Sequence, residues 1–180
     1  VGSTDASDSL TAIKKLVFED KEIAMAELCD ALSSDFEGHE AIRKMCQEVP
    51  KFGNDDDYAD EQAAWVLHQF VVESAKMRNL RGGHASPGIT PMASHVPAGK
   101  GVGALPSGRL AGEALADAAS PSAGADVNGL TAALKSMGKV DDAELLAGVI
   151  RNMRIDPAIF KERGGLGRLA DLMRAFADQK

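Results

Sequence analysis

Aromatic side chains are scarce in this sequence: one tryptophan, one tyrosine and six phenylalanines in 180 positions. Sheets draw on aromatic and β-branched residues, so the shortage, beside plentiful Ala, Leu, Met and Gly, favours helix over sheet. Cysteine is limited to Cys29 and Cys46. Neither sits in a CxxC or Cys/His spacing, and His39, His68, His84 and His95 are too scattered to supply partners, so no metal site is expected. Both cysteines fall on apolar faces of expected helices, which predicts two reduced, buried thiols in a cytosolic protein. No apolar run approaches the roughly 20 residues that span a bilayer. The opening VGSTDASDSL is polar and carries no signal-peptide pattern. The net charge of −7 removes nucleic acid and anionic membranes from the expected partners.

What is present reads first as helices. Ser7 or Asp8 is placed to cap a helix whose apolar face is Leu10, Ile13, Leu16 and Val17. A second carries Ile23, Met25, Leu28, Cys29 and Leu32 on one face. The third has the stripe Ile42, Met45, Cys46 and Val49, and Pro50 stops it. The fourth runs from about Asp57 to Met77, with Ala63, Leu67, Phe70, Val71 and Ser74 inward.

From Arg81 the texture turns to Gly, Pro and Ser. Ile89 to Val96 predicts a strand, with Thr90, Met92, Ser94 and Val96 on one side and Ile89, Ala93 and His95 on the other. A long connection to Asn128 follows, of a length that is usually functional in compact domains. Then come a short helix over Gly129 to Met137, a strand at GVIRNMRI, and a terminal helix marked by Leu166, Leu169, Ala170, Met173 and Phe176. Two strands alone do not make a stable sheet. The pattern therefore points to part of a larger α/β body.

Candidate chemistry is thin. GKGVGAL lacks the GKS or GKT ending of a phosphate loop, and its glycines do not fit GxGxxG. Ser94 and His95 are adjacent, so on a strand they point apart and form no nucleophile–base pair. KFGNDDDYAD offers three readings: a metal site, acid/base chemistry, or a helix start. It lacks the spacing of a calcium-binding EF-hand loop. The helix-start reading has Asn54 or Asp55 as cap and acids near the positive end of the dipole. On residue chemistry alone this is a helix-rich chain without a self-contained active site.

Several ordered stretches nevertheless resemble the glycyl radical enzymes, the pyruvate formate-lyase superfamily. DASDSLTAIKKLVFEDK comes first, and KFGNDDDYAD resembles the family's YGNDD turn. ASHVPAGKGVGALPSGR resembles HVPxG followed by GAxPDGR. LAGEALADAASPSAGADVNGLTAALKSMGKVD resembles PLADGxSPxxGxDxxGPTA, and LAGVIRNMRIDPAIF resembles xGxLLNxxxxP. The resemblance covers essentially the whole chain. Ala114 replaces the usual Pro, Ala118 a Gly, Leu130 the Pro of GPTA, and Ser107 stands where Asp is common.

The resemblance implies a fold class: α/β, a portion of a ten-stranded barrel, with residues 1–80 as its helical layer. Residues 81–180 would hold barrel strands, long loops and the terminal helix. It implies Asn54, Asp55, Asp56, Gly108, Arg109 and Asp126 as structural signature residues. No CxxE-like cysteine loop and no RVxGY radical loop occurs in this sequence, so no catalytic residue is assigned within it and the segment is expected late in the barrel. The family's activity is radical cleavage of a small-molecule substrate under anaerobic conditions, closer here to dehydratase, decarboxylase and amine- or sulfite-lyase branches. The resemblance further implies a glycyl radical installed by an activating enzyme that uses S-adenosylmethionine (SAM), a homodimer, and a cytoplasmic setting that includes bacterial microcompartments. Thr90, Met92 and Ser94 are expected to face substrate; the opposite reading turns them toward the helical layer. The competing functional reading is an inactive fragment or interaction module.

Overall fold

The computed structural model describes residues 2–90, 93–161 and 163–178. Seven α-helices are found among them: α1 (Ser3–Ile13), α2 (Met25–Ser33), α3 (Glu40–Glu48), α4 (Asp57–Ala75), α5 (His95–Lys100), α6 (Gly129–Gly138) and α7 (Gly165–Asp178). A π-helical segment, Lys14–Glu19, continues α1, and a 3₁₀ turn, Pro157–Lys161, precedes α7. No described helix is long and apolar enough to cross a membrane.

α1 departs from expectation. It begins at Ser3, so Ser7 and Asp8 lie inside it rather than capping it. Its buried face is polar: Thr4, Asp5, Ser7, Asp8, Ser9 and Thr11 are all buried. Each hydroxyl is satisfied, as buried polar groups require. Ser7, Ser9 and Thr11 donate to carbonyls three or four residues back, and Thr4 Oγ1 donates to Ser120 O at 2.8 Å. The π-helical turn then changes the facing. Leu16 is buried, while Phe18 is 64% exposed.

α3 is as expected, with Cys46 at 0% exposure and Val49 extended ahead of Pro50. α2 is not, because Cys29 is exposed. The face that α2 buries is Leu28 and Ala31, a register that leaves Cys29 and Met25 outside. α4 buries Ala63, Leu67 and Ser74 but leaves Phe70 exposed. α1 packs along α4.

Two apolar clusters hold the molecule. One joins Leu16, Leu28, Phe36, Cys46 and Val49. The other joins Phe52 and Leu67 to Ile89, Ala118, Met137 and Val140, so it draws on both halves of the sequence.

Neither expected strand forms a ladder among the described residues. Ile89 makes a single parallel bridge to Val149, and Ala118 an antiparallel one to Arg151. Past Ile89 the chain cannot stay extended. Ala93 takes φ +66°, and α5 starts at His95. The alternation of faces expected from Ile89 to Val96 therefore holds at Ile89 and Thr90, buried and exposed respectively, and ends before Ser94.

Candidate functional site

The signature residues gather around one cleft of about 1120 Å³. Asn54, Asp55, Asp56, Gly108 and Arg109 all line it; Asp126 does not, although its neighbours Ala125 and Val127 do. Sequence reasoning missed the rest of its wall: Asp5 and Asp8 from α1, Arg43 from α3, and Lys51. The only hint was an acid pair three residues apart in a polar stretch, which looks like a cap.

Each side of the cleft has a distinct role. Asn54 does not cap α4. Its amide donates to Lys51 O at 3.1 Å and Ala125 O at 2.7 Å, and its Oδ1 accepts the Asn128 N–H at 3.0 Å. The cap is Asp56, whose Oδ1 accepts the Tyr58 amide. Asp55 sits at φ +57° and pairs with lysines. Hydrogen bonds from Lys135 and Lys139 hold its carboxyl below the usual range.

Lys139 answers the question posed by the acidic run. Its ammonium meets Asp55 at 2.9 Å, Asp57 at 2.7 Å and Asp60 at 2.8 Å. Burial pulls the Lys139 pKa down, but bonds to Asp57, Asp60 and Asp55 outweigh it and raise it. The counter-charge of these aspartates is an ammonium of this chain.

On the inner wall Asp8 accepts the Phe52 N–H at 3.0 Å and the Ser122 hydroxyl at 3.1 Å. Burial pushes its carboxyl up to about 6, against the pull of the Phe52 amide and nearby Lys51. Asp5 accepts the Ala116 N–H at 2.8 Å and is likewise raised by burial. Lys51 donates to Cys46 O and Val49 O, and burial lowers its pKa.

Arg109 organises the glycine-rich loop. Its guanidinium, buried, donates to Gly99 O at 2.8 Å, Gly103 O at 2.9 Å, Val102 O, Ala114 O and Glu113 O. A planar fork of five donors suits such a set of carbonyls. Gly99 must lack a side chain, since a Cβ there would stand 2.1 Å from Glu113 O. Gly108, at φ +90°, offers its carbonyl to Arg43 Nε at 3.1 Å. GKGVGAL is thus a loop wrapped on an arginine.

The expected substrate-facing residues lie elsewhere. Thr90 and Ser94 are exposed and do not line the cleft. Met92 falls outside the described residues. Next to Ser94, His95 places Nδ1 3.4 Å from Asp117 Oδ1. Asp117 in turn accepts the Asn152 side-chain amide, and the Asn152 N–H donates to Ser120 Oγ.

Comparison with known proteins gives a consistent result. The family model described as Pyruvate formate lyase-like matches residues 1–99, and the one described as Glycine radical matches residues 115–180. Isethionate sulfite-lyase of Bilophila wadsworthia is 42% identical over 175 residues, 96% of this chain and 21% of that protein. Trans-4-hydroxy-L-proline dehydratase of Clostridioides difficile is 38% identical over 98% of this chain and 22% of its own length. The glycerol-bound glycerol dehydratase of Clostridium butyricum superimposes with a TM-score of 0.96 at 40% identity, covering 99% of this chain and 23% of that one. The chain thus spans about a fifth of the length of the curated relatives it matches.

Proposed function

Since this chain belongs to the glycyl radical enzymes of the pyruvate formate lyase-like family, we propose that it serves as a late barrel segment of an enzyme that cleaves a small hydroxylated, sulfonated or carboxylated substrate by radical chemistry. The observation that carries this reading is the fit over 99% of the chain, at a TM-score of 0.96, to a solved dehydratase. Residues 1–80 act as helical layer, and residues 81–180 supply the barrel-facing segments.

The chain contributes wall and scaffold rather than the reacting groups. No RVxGY glycine and no CxxE cysteine stands in this sequence; Cys46 is buried and burial raises its pKa, the opposite of an activated thiol. The radical, when installed elsewhere in the enzyme, supplies hydrogen abstraction. Thr90 and Ser94, exposed beside the buried Ile89, are positioned to offer hydroxyl hydrogen bonds to substrate, with Met92 as apolar shielding. An S-adenosylmethionine-dependent activating enzyme, a homodimer, and an anaerobic cytoplasmic or microcompartment setting complete the proposal.

The test is anaerobic activation of the protein encoded by the complete reading frame, with its activating enzyme and S-adenosylmethionine. A glycyl radical doublet in the electron paramagnetic resonance spectrum, and turnover of isethionate, trans-4-hydroxy-L-proline or glycerol, is expected. A frame limited to these residues, giving no radical, would favour the reading as an inactive interaction module.

A further inference from the structure

We propose that Arg43, Gln47 and Ser107 form a carboxylate-binding site on the wall of the cleft, taking one carboxylate from a small monoanion or from an acidic side chain. The proposal goes beyond the functional reading above and does not rest on it.

Three side chains meet around Gly108. Arg43 and Gln47 stand one helical turn apart on α3, so both leave the same face of that helix. Gly108, at φ +90°, lies against this face: a Cβ there would stand 2.5 Å from Gln47 Cγ and 3.3 Å from Arg43 O. The loop thus comes close enough for Arg43 Nε to donate to Gly108 O at 3.1 Å, with Ser107 the adjacent residue. Arg43, Gln47, Ser107 and Gly108 all line the cleft.

What these side chains leave unspent defines the ligand. Arg43 gives its Nε to Gly108, while its Nη1 and Nη2 make no hydrogen bond among the described residues, nor do the Gln47 amide and the Ser107 hydroxyl. The two Nη groups form a flat fork that matches the two oxygens of a carboxylate. Gln47 and Ser107 add neutral donors beside it. Arg43 is half-buried and already held at Nε, so binding orders little that is not ordered beforehand.

Charge on the cleft wall limits the anion. Glu48, Asp56 and Glu113 line it as well, and their field disfavours a second negative charge, so a monocarboxylate is preferred to phosphate. The residue at position 107 points the same way. The pattern GAxPDGR has aspartate there, where a carboxylate beside Gly108 would answer Arg43 from within the chain. Ser107 withdraws that carboxylate and leaves the guanidinium to an outside one.

The test uses the protein encoded by the complete reading frame. Phenylglyoxal modification of Arg43 is followed by peptide mass mapping in sodium acetate, and in sodium chloride or phosphate at equal ionic strength. Acetate is expected to slow modification several-fold, phosphate less, and the buried Arg109 to react little in any of them. Ser107→Asp is expected to slow Arg43 in chloride and to abolish the further effect of acetate. Equal rates for wild-type Arg43 in acetate and chloride overturn the proposal. Should Arg43 already be shielded in chloride, Arg43→Lys with a water-soluble carbodiimide identifies the source. An isopeptide bond from position 43 to an Asp or Glu outside these 180 residues assigns the site to an acidic side chain of the protein. No such bond, or one to an acid of this chain, overturns the proposal.

Discussion

The Asp8 carboxylate receives the Phe52 N–H at 3.0 Å, and this bond ties the middle of α1 to the turn that opens the acidic run. Burial raises the Asp8 carboxyl from 3.8 to about 6, so the folded chain holds a proton that the unfolded chain has already lost. Between roughly pH 4 and 6, rising pH therefore favours unfolding, and outside that window the group adds no slope. A shift of this size corresponds to on the order of 3 kcal/mol. Asp5, also raised by burial, acts in the same direction, whereas Asp55, lowered by its lysines, acts in the opposite one. Asp8→Asn, compared with wild type by thermal melts at stepped pH, isolates the Asp8 part. The mutant is expected to be relatively more stable near pH 7 than near pH 4.5. An identical pH profile in both proteins would refute the assignment.

Gly53 sits at φ +103°, and a Cβ there would lie 2.5 Å from Pro121 Cγ. Both the backbone conformation and the contact exclude a side chain. Gly53→Ala is expected to cost about 2–4 kcal/mol, measured by urea unfolding. Gly124→Ala, with a similar positive φ but open space, serves as control and should cost less. Equal losses would mean that the Pro121 contact is immaterial.

Lys139 is the shared cation of Asp55, Asp57 and Asp60, and Asp60 is 1% exposed. Lys139→Met leaves a buried carboxylate without its counter-charge, and about 3 kcal/mol of destabilisation is expected. Adding Asp60→Asn should recover much of that loss. A double mutant no better than the single one would show that Asp60 does not carry the cost.

Arg151 makes the opposite prediction. It pairs with Asp142 through Nη2, yet its Nε and Nη1 are buried without a partner among the described residues. The pattern xGxLLN has leucine at this place. Unsatisfied buried donors cost roughly 1–3 kcal/mol each, so Arg151→Leu is expected to raise the melting temperature of the chain by several degrees. A lower melting temperature would mean that the Asp142 pair outweighs the unspent donors.

How far the sequence could be read follows from where each element finds its partners. α3 was legible because its stripe, Ile42 to Val49, meets an apolar cluster and Pro50 ends it. α1 was not, because its inward face is built of hydroxyls and carboxylates that only the turn at Phe52 and the loop at Ala116 to Ser122 satisfy. A periodicity of apolar residues cannot reveal such a face. Cys29 was misplaced for a related reason: two helical registers bury Leu28, and only tertiary packing selects the one that leaves the thiol outside. The strand from Ile89 to Val96 was legible at Ile89 and Thr90, since its local pattern carries no sign of the turn at Ala93. The signature residues were recognisable one by one, but their convergence on a single cleft depends on contacts between distant segments.

The segment around Ile150 has a neighbour on each side. Ile150 N–H donates to Ile89 O at 3.0 Å, and Ile150 O accepts the Ala119 N–H at 3.2 Å. One neighbour runs parallel and the other antiparallel. Both hydrogen-bonding rims of this stretch are therefore already taken, and it sits as the keystone of a three-segment arch. Ile89 and Ala118 on its two sides are buried, and the Ala118 carbonyl accepts the Ser3 hydroxyl at 3.4 Å, so the arch is locked from the α1 side as well.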